Sequence, residues 1–475
     1  MNRMPVIEGL MKYINEGVTP FHMPGHKNNR RKFEELDYIA QNLYSMDNTE
    51  VPGLDNLHMP EDMILEGEKL ATRAFKAHKS YFLVNGSTCG IYSMIMGVTK
   101  PKDKVIIQRN CHRSVFMACM MGELDAVYIN PEVSSEFGIA VSIDVDRLIE
   151  VMDKNMDAKA IILTYPTYYG TCSDLGRIVT EAHKRGMLVL VDEAHGAHLY
   201  FGKGLPKGAM ELGADIAVTS LHKTTPALTQ TALLNVRDGI NTTGIEFMLR
   251  LHQSTSPSYI FMASIDASRY IMETRGEGLI HELLENINWF RNKITPVDEY
   301  KLLGIEHIGV NNIYNIDKTK IVIKSTAGGR KLDEILRQHG IQVEMSDIYN
   351  VVLICSVGDT RESFEKLYNV LMDCRAELSP IPGTGEIEGS MPQYKSAMNM
   401  REAYYKPQKR IKLNQAEGFV SCELAAPYPP GIPVLLPGEI ITKEVIESIE
   451  FYKSRGIQIN GLTDSDAQYI NVVSV

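Results

Sequence analysis

The chain has 475 residues, 44% of them hydrophobic and 23% charged, with seven scattered cysteines and a formal charge of −10. This is ordinary globular composition, long enough for roughly three domains of about 150 residues each, and the odd, unpaired cysteines exclude a disulfide framework. An acidic balance with no long basic run disfavours nucleic acid as a partner, no stretch approaches a membrane span, and a reducing, cytoplasmic setting fits the cysteine usage.

Residues 1–60 read as an irregular N-terminal arm, because Pro and Gly are dense around Thr19, Pro20, Pro24 and Gly25. Residues 61–78 carry Met63, Ile64, Leu70, Ala71, Ala74 and Phe75 at helical spacing. Short apolar runs then follow at 80–84, 105–108, 160–164, 187–191 and 216–219, with helical stretches between several of them, as at 175–185. Such alternation predicts an α/β fold with a mostly parallel sheet covered on both faces, and ligands bind beyond the carboxyl ends of its strands. A second, smaller α/β region is expected over 286–378, with a strand at 320–324, a helix near 330–339 and a strand pair at 341–343 and 351–356. Residues 379–393 read as a linker and 394–475 as a C-terminal domain. The large domain is thereby bounded at 61–285.

Polar groups stand at four strand ends. After the first run come Ser87, Thr88 and Cys89, opening a helical pattern. Free N–H groups and the helix dipole at such a terminus favour an anion, although simple capping by Ser or Thr is equally open. After the second run comes His112, able to lie against a planar ring or to be a satisfied loop residue. After the fourth run come Asp192 and His195. A carboxylate ending a buried strand needs a partner; a pyridinium N–H, a salt bridge or a helix cap would serve. After the fifth run come Ser220, His222 and Lys223. Burial lowers a lysine's pKa and suits it to Schiff-base chemistry, whereas any lysine taken singly is by default a surface residue.

These strand ends lie in one alternating segment, with Asp192 31 residues before Lys223. Together with Pro20-Phe21-His22-Met23-Pro24-Gly25-His26-Lys27, Asn110-Cys111-His112-Arg113-Ser114, Ser256-Pro257-Ser258-Tyr259 and Tyr428-Pro429-Pro430-Gly431-Ile432-Pro433, they resemble the ornithine/lysine/arginine decarboxylase family of fold-type I, pyridoxal 5′-phosphate (PLP) enzymes. The resemblance covers almost the whole chain. It implies an aspartate aminotransferase-like large domain and decarboxylation of a basic amino acid, arginine first and lysine or ornithine as alternatives. Another PLP reaction, transamination or a lyase step, is the nearer rival.

The resemblance also implies residue roles. Lys223 holds PLP, Asp192 pairs with its ring nitrogen and His112 stacks on the ring. Ser87, Thr88, Ser220 and His222 bind the phosphate, with a backbone N–H from Cys89. His195 lies near the ring. Thr255 and Ser256 reach the phosphate of a partner subunit, so a homodimer is expected. Only 19 residues precede Pro20, which fits the family's short form without its N-terminal wing domain. Glu423 and Asp347 are candidates for the substrate's basic end, and Arg401 for a carboxylate or for bracing the third region.

Two other readings fall away. Asp192-Glu193-Ala194-His195 spells a helicase box, but no GxxxxGK[ST] loop lies upstream. His195 and His198 lack a third ligand at metal spacing, so no metal is expected and His198 reads as structural.

Overall fold

The computed structural model describes residues 3–379, 392, 394–428 and 431–474. Its centre is a seven-stranded sheet: β1 (Lys79–Leu83), β2 (Lys104–Gln108), β3 (Asp125–Ile129), β4 (Ala160–Thr164), β5 (Leu188–Asp192), β6 (Ile216–Ser220) and β7 (Ala232–Val236). They lie in the order β1-β7-β6-β5-β4-β2-β3. β7 runs antiparallel to both its neighbours, and the other pairs are parallel.

Alternate side chains of these strands point to opposite faces. Ile107, Leu190 and Val218 enter one buried core, while Ile106, Val189, Val191 and Ala217 enter another. Both faces are therefore covered, which explains why the strands read as unbroken apolar runs. β3 and β7 were not expected from the sequence. Helices occupy Met63–Ala74 and Leu175–Lys184, within the predicted spans.

A smaller antiparallel sheet follows: β8 (Tyr300–Leu302), β9 (Lys320–Ser325), β10 (Met345–Ser346) and β11 (Asn350–Ile354), in the order β8-β9-β11-β10. The expected strand pair does not form. Ile341–Val343 pairs instead in parallel with Thr19–Phe21, and β11 pairs with β9 and β10. The arm is also more regular than expected, with helices at Pro5–Glu16 and Glu34–Gln41. Its strand is anchored by Phe21, fully buried with its ring 5.5 Å from Phe364. The long helix Tyr259–Ile294 runs through the boundary expected at 285.

The C-terminal region pairs Gln408–Lys412 with Tyr469–Val473 and packs the helix Lys443–Ser454 on a core containing Leu435, Ile441, Ile449 and Ile470. Arg109, just after β2, donates two hydrogen bonds to Glu439 at 2.8 and 2.9 Å, both side chains buried. Its guanidinium also stacks 3.7 Å from the Tyr394 ring centroid. Of the expected linker, residues 380–391 and 393 lie outside the described residues, as do Pro429 and Pro430. Among the described residues, no helix is long and apolar enough to cross a membrane.

Candidate active site

The carboxyl ends of β5 and β6 bring Asp192, His195 and Lys223 together, and Ser87, Thr88 and Cys89 follow the end of β1. Asp192 is the last residue of β5 and is 2% exposed. Its Oδ1 accepts a hydrogen bond from Ala194 N at 3.1 Å. Burial raises its pKa, and the nearby Lys223 charge pulls it back. Lys223 follows β6 in a single helical turn, Leu221–Thr224. Its Nζ lies 3.1 Å from His195 Nε2. Desolvation lowers the pKa of Lys223, opposed by the charges of Asp192 and Glu344. His195 is held well below the ordinary histidine range, first by burial and then by the charges of Lys223 and Lys320. Its imidazole is therefore neutral at physiological pH, and its buried Nδ1 has no hydrogen-bond partner.

The side chain of His222 points back at the strand ends, with Nδ1–H donating to Thr231 O at 2.9 Å. Burial lowers its pKa to about 4. The hydroxyls of Ser220 and Thr224 are buried without a hydrogen-bond partner. An unpaired buried hydroxyl is costly, of the order of 1–3 kcal/mol, and is a reason to look for a ligand.

Ser87, Thr88 and Cys89 lie in the first turn of the helix Gly86–Val98, whose N-cap Asn85 makes no side-chain cap and whose first turn holds no acid. The turn before it is tight: Gly86 has φ +73°, a region that suits glycine, and its N–H donates to Gln230 O at 2.9 Å. The Cys89 thiol donates to Gly86 O and is pushed up to about 12 by burial, so it is inert as a nucleophile.

His112 caps the helix Arg113–Met121, its Nδ1 2.7 Å from the Ser114 hydroxyl, and desolvation lowers its pKa to about 4. Thr255 and Ser256 are also exposed in the single chain. Their loop is tethered at the β1 end: Gln253 Oε1 accepts from Val84 N at 2.8 Å, and Asn85 Nδ2 donates to His252 O at 3.1 Å.

The expected candidates for a basic substrate end are committed elsewhere. Glu423 accepts from Thr463 N, Asn471 N and Asn471 Nδ2 at 2.8, 2.7 and 3.0 Å inside the C-terminal domain. Asp347 closes its own turn, accepting from Tyr349 N and Asn350 N at 2.8 and 2.7 Å. Arg401 braces the third region by donating to Met121 O at 3.1 Å.

Sequence reasoning missed Glu344, whose carboxylate accepts from Tyr168 OH at 2.6 Å and from Met23 N at 3.0 Å. Tyr168 in turn packs edge-on against His195, ring centroids 4.9 Å apart. Glu344 arrives through the pairing of Phe21 with Val343, a long-range event with no local sequence signal. Also missed was the buried Lys27, which donates to His22 O and Ile354 O and so fastens the arm beside the cleft. Gly25 lies against the catalytic turn, its N–H donating to His222 O at 2.7 Å; a Cβ there would come within 2.5 Å of Thr225 O.

Comparison with known proteins agrees with this geometry. Residues 4–327 match the Orn/Lys/Arg decarboxylase major domain and 388–463 the C-terminal domain of the same family. The chain is 35% identical to an arginine decarboxylase of Bacillus subtilis, covering 99% of this chain and 97% of that one. It is 21% identical to the lysine decarboxylase LdcA of Pseudomonas aeruginosa, covering 95% of this chain and 76% of the relative. The Francisella novicida lysine decarboxylase LdcF superposes with a TM-score of 0.80 at 20% identity, over 92% of this chain and 76% of that one. A serine palmitoyltransferase of Sphingomonas wittichii shares the fold more distantly, with a TM-score of 0.59 at 15% identity over 76% of this chain and 87% of that one. From strand-end constellation to full-length similarity, these findings agree: the chain is a fold-type I decarboxylase and belongs to the Orn/Lys/Arg decarboxylase family.

Proposed function

We propose that the protein decarboxylates arginine to agmatine with PLP held by Lys223. The observation that carries the cofactor reading is the Lys223–His195–Asp192 cluster beside two buried, unpaired hydroxyls, Ser220 and Thr224. Arginine rather than lysine or ornithine is supported by the arginine decarboxylases at 33–35% identity over nearly the whole chain.

Bound PLP supplies an electron sink for the pair left on Cα as CO₂ departs. The protein's part is binding, orientation and charge. Lys223, whose pKa burial lowers, is suited to carry the cofactor. Asp192 is a buried carboxylate suited to the ring nitrogen, and His112 to the ring face. The N–H groups of Ser87, Thr88 and Cys89 suit phosphate at a helix terminus, and the Ser220 hydroxyl and His222 are assigned to the same phosphate. Lys223 or His195 returns a proton to Cα, since the two already share a hydrogen bond. Glu344 is a carboxylate whose charge reaches Lys223, and it takes the role of facing the substrate's cationic end. Thr255 and Ser256 complete the phosphate site of the other subunit in a homodimer working in the cytoplasm. The arm (1–60), large domain (61–285), small domain (286–378), linker (379–393) and C-terminal domain (394–475) serve as the working division.

The test is a steady-state comparison of arginine, lysine and ornithine with the PLP-loaded enzyme, following CO₂ and the amine product. The highest kcat/KM is expected for arginine with agmatine formed. A keto acid product, or preference for lysine or ornithine, would overturn the reading.

A further inference from the structure

Behind the cleft lies a buried charged cluster that the proposed chemistry does not use. Lys320, the first residue of β9, is 1% exposed, and its Nζ has no hydrogen-bond partner. The nearest opposite charge is Asp317 Oδ2 at 3.9 Å, itself without a hydrogen bond. Asp317 Oδ1 is occupied: Thr319 N and Thr319 Oγ1 donate to it at 3.0 and 2.8 Å, and His198 Nε2 lies 3.1 Å away. His198 lies in the short helical turn Ala197–Phe201 that follows β5 and His195, so the Asp317–His198 contact joins the small-sheet side to that segment.

A second contact approaches His195 through the loop after β4. The Lys320 stem lies along Gly170, where a Cβ would meet Lys320 Cβ at 2.8 Å and Cγ at 2.9 Å, and Asp317 N donates to Gly170 O at 2.7 Å. Gly170 has φ +87° and closes the segment bearing Tyr168, whose ring packs on His195. A lysine left without hydrogen bonds in a packed interior is expensive, and a counter-charge at 3.9 Å offsets only part of that cost.

We propose that Lys320 is a positioning residue for the reaction: with Asp317 as counter-charge, it sets from the small-domain side the electrostatic environment of the His195–Lys223 pair. The groups that bear on this pair are few. His195 feels Lys223, Lys320, His112 and His222; Lys223 feels Asp192 and Glu344; Lys320 feels Asp317, Glu344, Cys355 and Lys223. Burial lowers the pKa of Lys320 and the Asp317 charge opposes that; when charged, Lys320 opposes protonation at His195, and it and Lys223 repel each other. The inference rests on the PLP reading, because Lys223 is taken as the cofactor's lysine.

The experiment titrates the visible absorbance of the PLP–Lys223 Schiff base against pH in the loaded enzyme. Lys320→Met removes a positive charge, so protonation becomes easier and the midpoint moves up by about one unit. Asp317→Asn removes the opposing negative charge, and the midpoint moves down. Lys320→Arg keeps the charge and stays closer to wild type than Lys320→Met does. A packing role would lower stability or cofactor content without midpoint shifts of opposite sign. Shifts of the same sign, or midpoints that do not move, overturn the proposal. If Lys320→Met does not fold, Asp317→Asn decides alone: a downward shift supports it and any other result refutes it. A wild-type protein with no Schiff-base band would overturn the cofactor reading and this inference with it. A band that is present but unmoved overturns only the inference.

Discussion

The cleft at the strand ends and the joint with the C-terminal domain both bury carboxylates, yet they treat them differently. In the joint, Glu439 accepts two hydrogen bonds from Arg109 and one from Leu436 N, and nearby Glu423 is saturated by Thr463 and Asn471. In the cleft, Asp192 accepts from Ala194 N, and hydroxyls at Ser220 and Thr224 go unpaired. A satisfied buried acid holds a fold together; an under-satisfied one beside unpaired donors is built for something that arrives later. The neighbouring residue makes the same point at closer range. Glu193 is as buried as Asp192, but Ala209 N, Tyr200 OH and Thr219 Oγ1 all donate to it, and burial pushes its pKa up to about 8. Glu193 is structural and Asp192 is available.

Substitutions can break this comparison. The largest effect is expected for Asp192→Asn, which keeps the shape and removes the charge. Turnover should fall by roughly a thousandfold or more, each tenfold step being about 1.4 kcal/mol of barrier, while the thermal midpoint changes little. A near-normal kcat would remove Asp192 from the chemistry. A smaller effect, on stability instead of turnover, is expected for Arg109→Met. It strands a buried Glu439 and should cost about 3–5 kcal/mol in denaturant unfolding, most of it recovered when Glu439→Leu is added. If Arg109→Met were neutral to stability, the joint would not be the structural element its saturated hydrogen bonds make it.

Much of the cleft was legible because its residues sit at the ends of apolar runs, and each run marks a strand. Lys223 and His195 meet at 3.1 Å and the Asp192 charge reaches Lys223, each just past the end of a predicted run. Strands β3 and β7 were hidden for physical reasons. β3 is an edge strand that opens on an exposed Asp125 and is only partly buried. β7 contains Asn235, whose buried side chain is paid back by a 2.7 Å hydrogen bond from Ser80. The arm looked irregular because its prolines and glycines outweighed the helical pattern of residues 5–16. The placements of Glu344 and Lys320 were invisible in the sequence. Each is one charged residue in or beside a short strand, and only tertiary pairing brings it behind the catalytic turn. Glu423 misled for the converse reason, since its neighbours in sequence said nothing of Thr463 and Asn471.

The most direct test of the account is to locate the cofactor lysine chemically. The PLP-loaded protein is reduced with borohydride, digested and mapped by mass spectrometry. The account predicts a pyridoxyl adduct on Lys223 and none on Lys27 or Lys320, two buried lysines of the arm and the small sheet. An adduct on either of those, or an unmodified Lys223 in an active preparation, would contradict it.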